Sequence, residues 1–348
     1  MNALQHRGVL AALAAALLFG AGTPVAKVLL GTTSPLVLAG LLYLGSGVGL
    51  AAWRLLRRSG RVRLERRNAA WLMGAVLAGG AVGPALLMWG LASLPASAAA
   101  LLLNGEGVFT ALLAWYLFKE AFDRRIAFGM LLIVVGAVVL SWPGEARFGA
   151  LLPSLAVLGA CFAWAIDNNL TRKVSLTDAT YIAMIKGVVA GTANLLLALA
   201  TGASLPAFAT VIGAGALGLV SYGVSLVLFV VALRDLGTAR TGAYFSTAPF
   251  AGAVLAVLLL REPLTLQLVL AGVLMAAGVW IHLSEQHRHV HVHRPVRHQH
   301  EHEHDIHHQH AHAPELPAGT RHSHAHEHQL LEHEHEHYPD AHHRHEHS

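Results

Sequence analysis

Charge is scarce in this chain: Asp, Glu, Lys and Arg make up only 13% of its 348 residues, against 55% hydrophobic residues. A soluble domain of this size needs roughly a quarter of its residues charged to cover its surface. The shortage excludes a water-soluble globular protein and makes lipid the solvent. Cysteine is almost absent as well. Cys161 stands alone inside an apolar run, which excludes a disulfide framework and any cysteine-based metal site. No Walker sequence is present, so ATP-driven transport is disfavoured; no zinc-protease or nucleophile motif and no paired carboxylates fall in the apolar runs, so an enzyme is not expected. The formal charge of +4 does not indicate nucleic acid, because seven arginines crowd between Arg54 and Arg67 in one short loop between apolar runs.

What the chain has in excess is long apolar runs. Stretches of about 20 apolar residues predict spans near 8–30, 35–55, 70–91, 95–118 and 124–142, then near 150–170, 179–201, 208–233, 238–260 and 264–283. The expectation is an all-α membrane protein of ten transmembrane helices in two sets of five. The N-terminal run continues past Gly20 to Leu30, long enough to span, and is read as helix one rather than a cleaved signal peptide. Lys and Arg in the loops (Arg54 to Arg67, Lys119, Arg124, Arg125, Arg172, Lys173, Arg234 and Arg240) mark the cytoplasmic side, which places both termini in the cytoplasm of a cell bounded by this inner membrane.

An internal repeat accompanies the count. "ALLAWYLFKE" at 111–120 matches "AVLAVLLLRE" at 253–262, ending in Glu120 and Glu262. "LFGAGTPVAKV" in span one lies opposite "FAWAIDNNLTR" in span six, which places Lys27 within one position of Arg172. Because each set has an odd number of spans, the second inserts upside down relative to the first, giving two inverted five-helix repeats. The expected domains are residues 1–143, residues 144–283, and a tail over 284–348.

An ionisable group within the hydrocarbon costs at least about 2.5–3.5 kcal/mol at midplane, so each one needs a partner or a function. Glu106 lies halfway along span four in "LLLNGEGVF", beside Asn104 and between two glycines. A carboxylate so placed can alternate between charged and neutral forms, as a proton-coupled carrier requires; a buried structural ion pair is the alternative. Asp167, Asn168 and Asn169 end span six, and either line a cavity or cap a solvated helix terminus. Lys186 lies too deep in span seven for easy snorkelling, with Asn194 two turns further along nearly the same face. It pairs with Glu106 or Asp167, or meets an anionic substrate. Lys27 follows Gly22 and Pro24, which are expected to break or kink helix one; substrate contact and snorkelling both remain open for it. Gly187 and Gly191 have the GxxxG spacing of close helix packing.

The two sets of five spans, the "KE" and "RE" closing spans four and nine, and the "GxGTPxxK" pattern of span one together resemble the EamA-type family of the drug/metabolite transporter superfamily, over about residues 8–283. That resemblance implies secondary transport, often export, of a small solute through a central cavity between the repeats. Span nine keeps Pro249 in "STAPF", but span four carries "LNGEGVF" where many members have a proline-containing segment. The departure points to a subgroup with its own substrate or coupling ion.

From Glu285 onward the composition changes abruptly: 23 of the 25 histidines fall in the last 65 residues, among acids and a few arginines. Such a segment is expected to be disordered. Histidines two apart on a flexible chain suit Zn, Ni, Co or Cu, and the sites expected are His298, His300, His302, His304, His322, His324, His326, His328, His333, His335 and His337. No cofactor is required by the membrane part. The partners expected are the lipid bilayer, a small-molecule or metal-ion substrate and, as one option, a second copy of the chain in a homodimer. A dedicated Ni, Co or Zn exporter and a non-transporting metal sensor or store are the alternatives to a solute exporter.

Overall fold

The computed structural model describes residues 3–60, 62, 66–118, 124–141, 151–174, 177–236 and 238–283, and, in the tail, 288–293, 297–302, 322–327 and 331–336. Contacts divide the chain into two units, Met1–Glu285 and Gln286–Ser348.

The first unit is helical throughout its described elements: α1 (Ala3–Leu30), α2 (Pro35–Leu56), α3 (Arg66–Ala75), α4 (Gly83–Ser93), α5 (Ala96–Leu102), α6 (Gly105–Phe118), α7 (Arg124–Ser141), α8 (Leu151–Val174), α9 (Ala179–Ala200), α10 (Phe208–Gly218), α11 (Ser225–Leu236), α12 (Thr238–Phe245), α13 (Ala248–Leu260) and α14 (Leu266–Leu283). Among the described residues seven helical stretches are long and apolar enough to cross a membrane, and three shorter apolar helices lie at Ala127–Leu140, Ala248–Leu260 and Leu266–Ile281. Each overlaps one of the ten apolar runs read from the sequence. Large apolar side chains such as Leu55, Phe208 and Trp280 are mostly exposed, as a surface covered by lipid requires.

Four of these runs are not the simple helices expected. Between α3 and α4 the backbone passes through a π-helical segment, Val76–Val82, and between α10 and α11 through another, Leu219–Val224. Pro84 accounts for much of the first. The N–H of Gly83 bonds to Ala78, five residues back, and Pro84 has no N–H to offer Gly79, so the Gly79 carbonyl is left for other donors. The run expected as one helix over 95–118 is broken at Leu103 and Asn104, and the run over 238–260 at Ser246 and Thr247. Helix one shows the opposite difference. The break expected at Pro24 is missing, and α1 runs unbroken through it. The Gly20 carbonyl, which Pro24 leaves without its helical donor, lies against the backbone of Gly252 instead.

Packing follows small residues. Gly40 and Gly47 of α2 meet Gly187 and Gly191 of α9 so closely that an added Cβ at any of them would overlap the facing helix, so the GxxxG spacing serves helix contact as expected. Helix α7 packs on α14, with Gly136 and Gly278 at the contact. Helix α1 packs against α11 and α13, and α8 packs against α4 and α6.

Among the described residues of the second unit are strands β1 (Arg288–His293), β2 (Arg297–His302), β3 (His322–Glu327) and β4 (Leu331–Glu336). They form two antiparallel pairs, β1 with β4 and β2 with β3. The alternating His-X-His pattern has the period of an extended chain, which is why it takes this form. Register sets His298 opposite His326, His300 opposite His324, and His302 opposite His322. His304, His328 and His337 lie outside the described residues, as do Glu120 and the boundary expected at 143.

Candidate functional site

A cavity open at one mouth lies inside the helical unit. Four of the eight intramembrane residues singled out from the sequence line it: Glu106, Asp167, Asn168 and Lys186. Three helices place them. Glu106 stands in the first turn of α6, directly after the break at Asn104, rather than in the middle of a continuous span. Asp167 and Asn168 project from the second half of α8, and Lys186 from the second turn of α9.

Lys186 takes Asp167 as its partner. Its ammonium lies 2.5 Å from Asp167 Oδ1 and donates to Thr171 Oγ1 at 2.8 Å, and the Thr171 hydroxyl donates to the same Asp167 oxygen at 2.8 Å. All three residues are buried, so neither charge is left uncompensated. The second Asp167 oxygen lies against Gly79, where even a methyl group would overlap the carboxylate. Glycine at 79 is therefore a condition for this ion pair.

Glu106 is differently held. Asn168 Nδ2 donates to its Oε1 at 2.7 Å, and among the described residues no salt bridge reaches it. Polar anchoring of the wall comes from the π-helical segment. The Gly79 carbonyl accepts from Trp164 Nε1 at 2.8 Å and from the Tyr43 hydroxyl at 3.0 Å.

The other four residues turn elsewhere. Asn169 donates to the carbonyls of Ala165, at 2.9 Å, and Thr110, and Asn194 to those of Gly80 and Ala81 beside the π-helical turn. Asn104 donates to Leu101 at the helix break, at 3.0 Å, and faces Met275. Lys27 donates to Leu91 at 2.7 Å and Ala92 at 3.1 Å, covering the carbonyl end of α4. None of the four lines the cavity. All four donate to backbone carbonyls, at the helix break for Asn104, in the π-helical segment for Asn194, at the end of α4 for Lys27 and inside regular helix for Asn169.

Sequence reasoning missed the rings. Phe19, Tyr43, Trp164, Tyr222, Phe229 and Phe245 all line the cavity. They form one connected set centred on Phe19, which meets Trp164, Tyr222 and Phe245 at centroid distances of 5.9, 5.8 and 5.4 Å. Tyr43 joins through Tyr222 at 5.4 Å and Phe229 through Phe245 at 4.8 Å. Ser221 and Ser225 add hydroxyls, of which Ser225 is already engaged with Ala15 at 2.8 Å.

Among the described residues no three His, Cys, Asp or Glu side chains gather as metal ligands would. Of the two carboxylates in the cavity, Asp167 is already occupied by Lys186.

Apolar helices long enough to cross a membrane surround a cavity lined by aromatic rings and a few charged and amide side chains, an arrangement consistent with a multi-pass membrane protein. The sequence model of the EamA-like transporter family matches twice, at residues 6–142 and 151–284, and the chain belongs to that family. It is 28% identical over 295 residues to a protein of Methanothermobacter thermautotrophicus named as an uncharacterized transporter, a match covering 79% of this chain and 85% of the relative. A crystal structure of a protein 18% identical to it aligns with a TM-score of 0.62 over 79% of this chain and 94% of the other, a likeness of fold.

Proposed function

We propose that the protein is a secondary transporter of the cytoplasmic membrane that exports a small solute in exchange for protons, with Glu106 as the coupling carboxylate. The observation that carries this reading is the contrast within one cavity. Asp167 is neutralised by Lys186, whereas Glu106 faces the same space with only an amide on it. A carboxylate without a fixed counter-charge is the group that can exchange a proton for a ligand as the cavity opens to either side.

The ten apolar helices act as ten spans in two inverted repeats, over residues 1–143 and 144–283. Several features support this. The two π-helical segments fall at corresponding places, as do the helix breaks at 103–104 and 246–247. The packing of α1 on α11 and α13 has its counterpart in that of α8 on α4 and α6. The arginine-rich loop after α2 supports a cytoplasmic placement of both termini.

The histidine-rich tail binds a divalent transition metal, Zn, Ni, Co or Cu; the closely spaced histidines and carboxylates of its sequence support this reading. Export of the metal itself through the bundle is the weaker reading, because the cavity offers one uncommitted carboxylate and no imidazole or thiolate.

Proteoliposomes carrying the full chain, with an imposed pH gradient, test the transport reading. Protein-dependent, gradient-driven accumulation of at least one member of a panel of cationic, neutral and anionic organic solutes is expected, and its loss in Glu106→Gln. Accumulation undiminished in that variant removes Glu106 from the coupling role, and absence of accumulation across the panel removes the carrier.

A further inference from the structure

We infer that the cavity is built for an organic cation with a flat or bulky apolar body; this rests on the carrier reading above. Three charged side chains line it. Lys186 and Asp167 cancel at 2.5 Å and are further closed off by Thr171, so the wall carries one net negative charge, that of Glu106 when ionised. An anionic solute finds no uncommitted cation among the lining residues, and burying it there would leave two like charges facing one another.

The rest of the wall matches this charge. Six rings from different helices join through Phe19 into one surface. Ring faces attract a cation by about 0.5–1 kcal/mol at exposed sites and about 2 or more where water is excluded, and tryptophan does so best. The indole of Trp164 and the hydroxyl of Tyr43 are both held by the Gly79 carbonyl, which fixes their planes before any ligand arrives. An apolar body stacks on the rings while its positive centre meets Glu106. Since a proton and the cation then compete for one carboxylate, occupancy by either excludes the other, and this competition is the exchange that a proton-driven exporter requires.

The test is calorimetric titration of the purified full chain with three probes of nearly equal size: benzyltrimethylammonium, its neutral carbon isostere neopentylbenzene, and the anion phenylacetate. Saturable binding of benzyltrimethylammonium alone is expected. Glu106→Gln should weaken it about tenfold or more, since a charge-assisted contact is lost in a dry site. Glu106→Asp, which keeps the charge, should weaken it less, and Phe245→Leu should do so about two- to fivefold. Elution as a single sharp peak in size-exclusion chromatography is required of every variant scored. Phenylacetate or neopentylbenzene binding as tightly as the cation overturns the inference, as does unchanged cation binding in a well-behaved Glu106→Gln. Gradient-driven accumulation in the proteoliposomes separates the two claims. If an anionic or neutral solute accumulates in a Glu106-dependent way, the cation preference falls and the carrier stands. If the cation binds through Glu106 but nothing accumulates, the site stands and the carrier falls.

Discussion

Lys186 donates to Asp167 across 2.5 Å, and both residues are buried. Removing either partner strands the other charge in the bundle, a loss of about 3–5 kcal/mol for a buried pair, whereas removing both is far milder. Lys186→Met and Asp167→Asn should each lower the thermal unfolding midpoint in detergent markedly, and the double variant should recover much of the loss. Additive losses in the double variant would contradict the pairing.

Gly79 faces the Asp167 carboxylate with no room for a Cβ. Gly79→Ala should destabilise by about 1–3 kcal/mol or more through overpacking. Gly213→Ala in α10, where nothing lies within 4 Å of the added methyl, should be neutral or stabilise by up to about 1 kcal/mol. Thermal midpoints of the two variants, measured side by side, check both signs.

Glu262 shows what the "RE" of the repeat does. Its carboxylate accepts from the N–H groups of Ala96 at 2.7 Å and Ser97 at 2.9 Å and from the Ser97 hydroxyl, closing the open N-terminal end of α5. Glu262→Ala should cost about 0.5–2 kcal/mol, the range for loss of a helix cap, and Glu262→Gln less. Chemical denaturation in mixed micelles would report the order; a larger effect for Gln than for Ala would contradict the cap.

Asp178 caps α9 outside the membrane spans. Burial alone would raise its pKa, but the Tyr181 N–H at 2.8 Å and the Arg54 guanidinium at 2.7 Å outweigh it and hold the carboxyl below its ordinary 3.8. A carboxyl so depressed adds stability that is fully present above 3.8 and is lost as pH falls through its lower folded value. Asp178→Asn should therefore be less stable than the wild type above about pH 4, and the difference between their thermal midpoints should shrink as pH falls below that and vanish at the acid end.

The tail should account for metal binding. Zinc titration of the full chain should show binding that weakens between about pH 6.5 and 5 as imidazoles protonate. A chain ending at Ser284 should lack it. In cells under metal load, Glu106→Gln should leave metal content as the wild-type chain does, and a fall in metal that depends on Glu106 would instead favour metal as the exported solute.

The all-helical, membrane-spanning character was legible because each span needs a long apolar run; the π-helical segments and the breaks at 103–104 and 246–247 inside those runs were not. Glu106, Asp167, Asn168 and Lys186 were legible for the same reason, since charge and amides in such runs are conspicuous. Which partner Lys186 takes was not, because three helices must be assembled before the distances exist. The rings stayed hidden because position alone distinguishes them: Trp164 in α8 is 6% exposed and Trp280 in α14 is 69% exposed, yet both sit in similar apolar runs. Asn104, Asn169, Asn194 and Lys27 looked equally functional in sequence. They donate to backbone carbonyls, three of them at irregular or terminal turns and Asn169 within regular helix, a need that one-dimensional pattern does not reveal.

Competition between proton and cation at Glu106 is most directly tested by proton release on binding. Benzyltrimethylammonium is added to the full chain in weakly buffered detergent solution, from about pH 5 to 9, and released protons are counted per ligand bound. A maximum approaching one proton per cation in the wild type, absent in Glu106→Gln, is the predicted result. Binding with no release anywhere in that range, or equal release in both proteins, would contradict it.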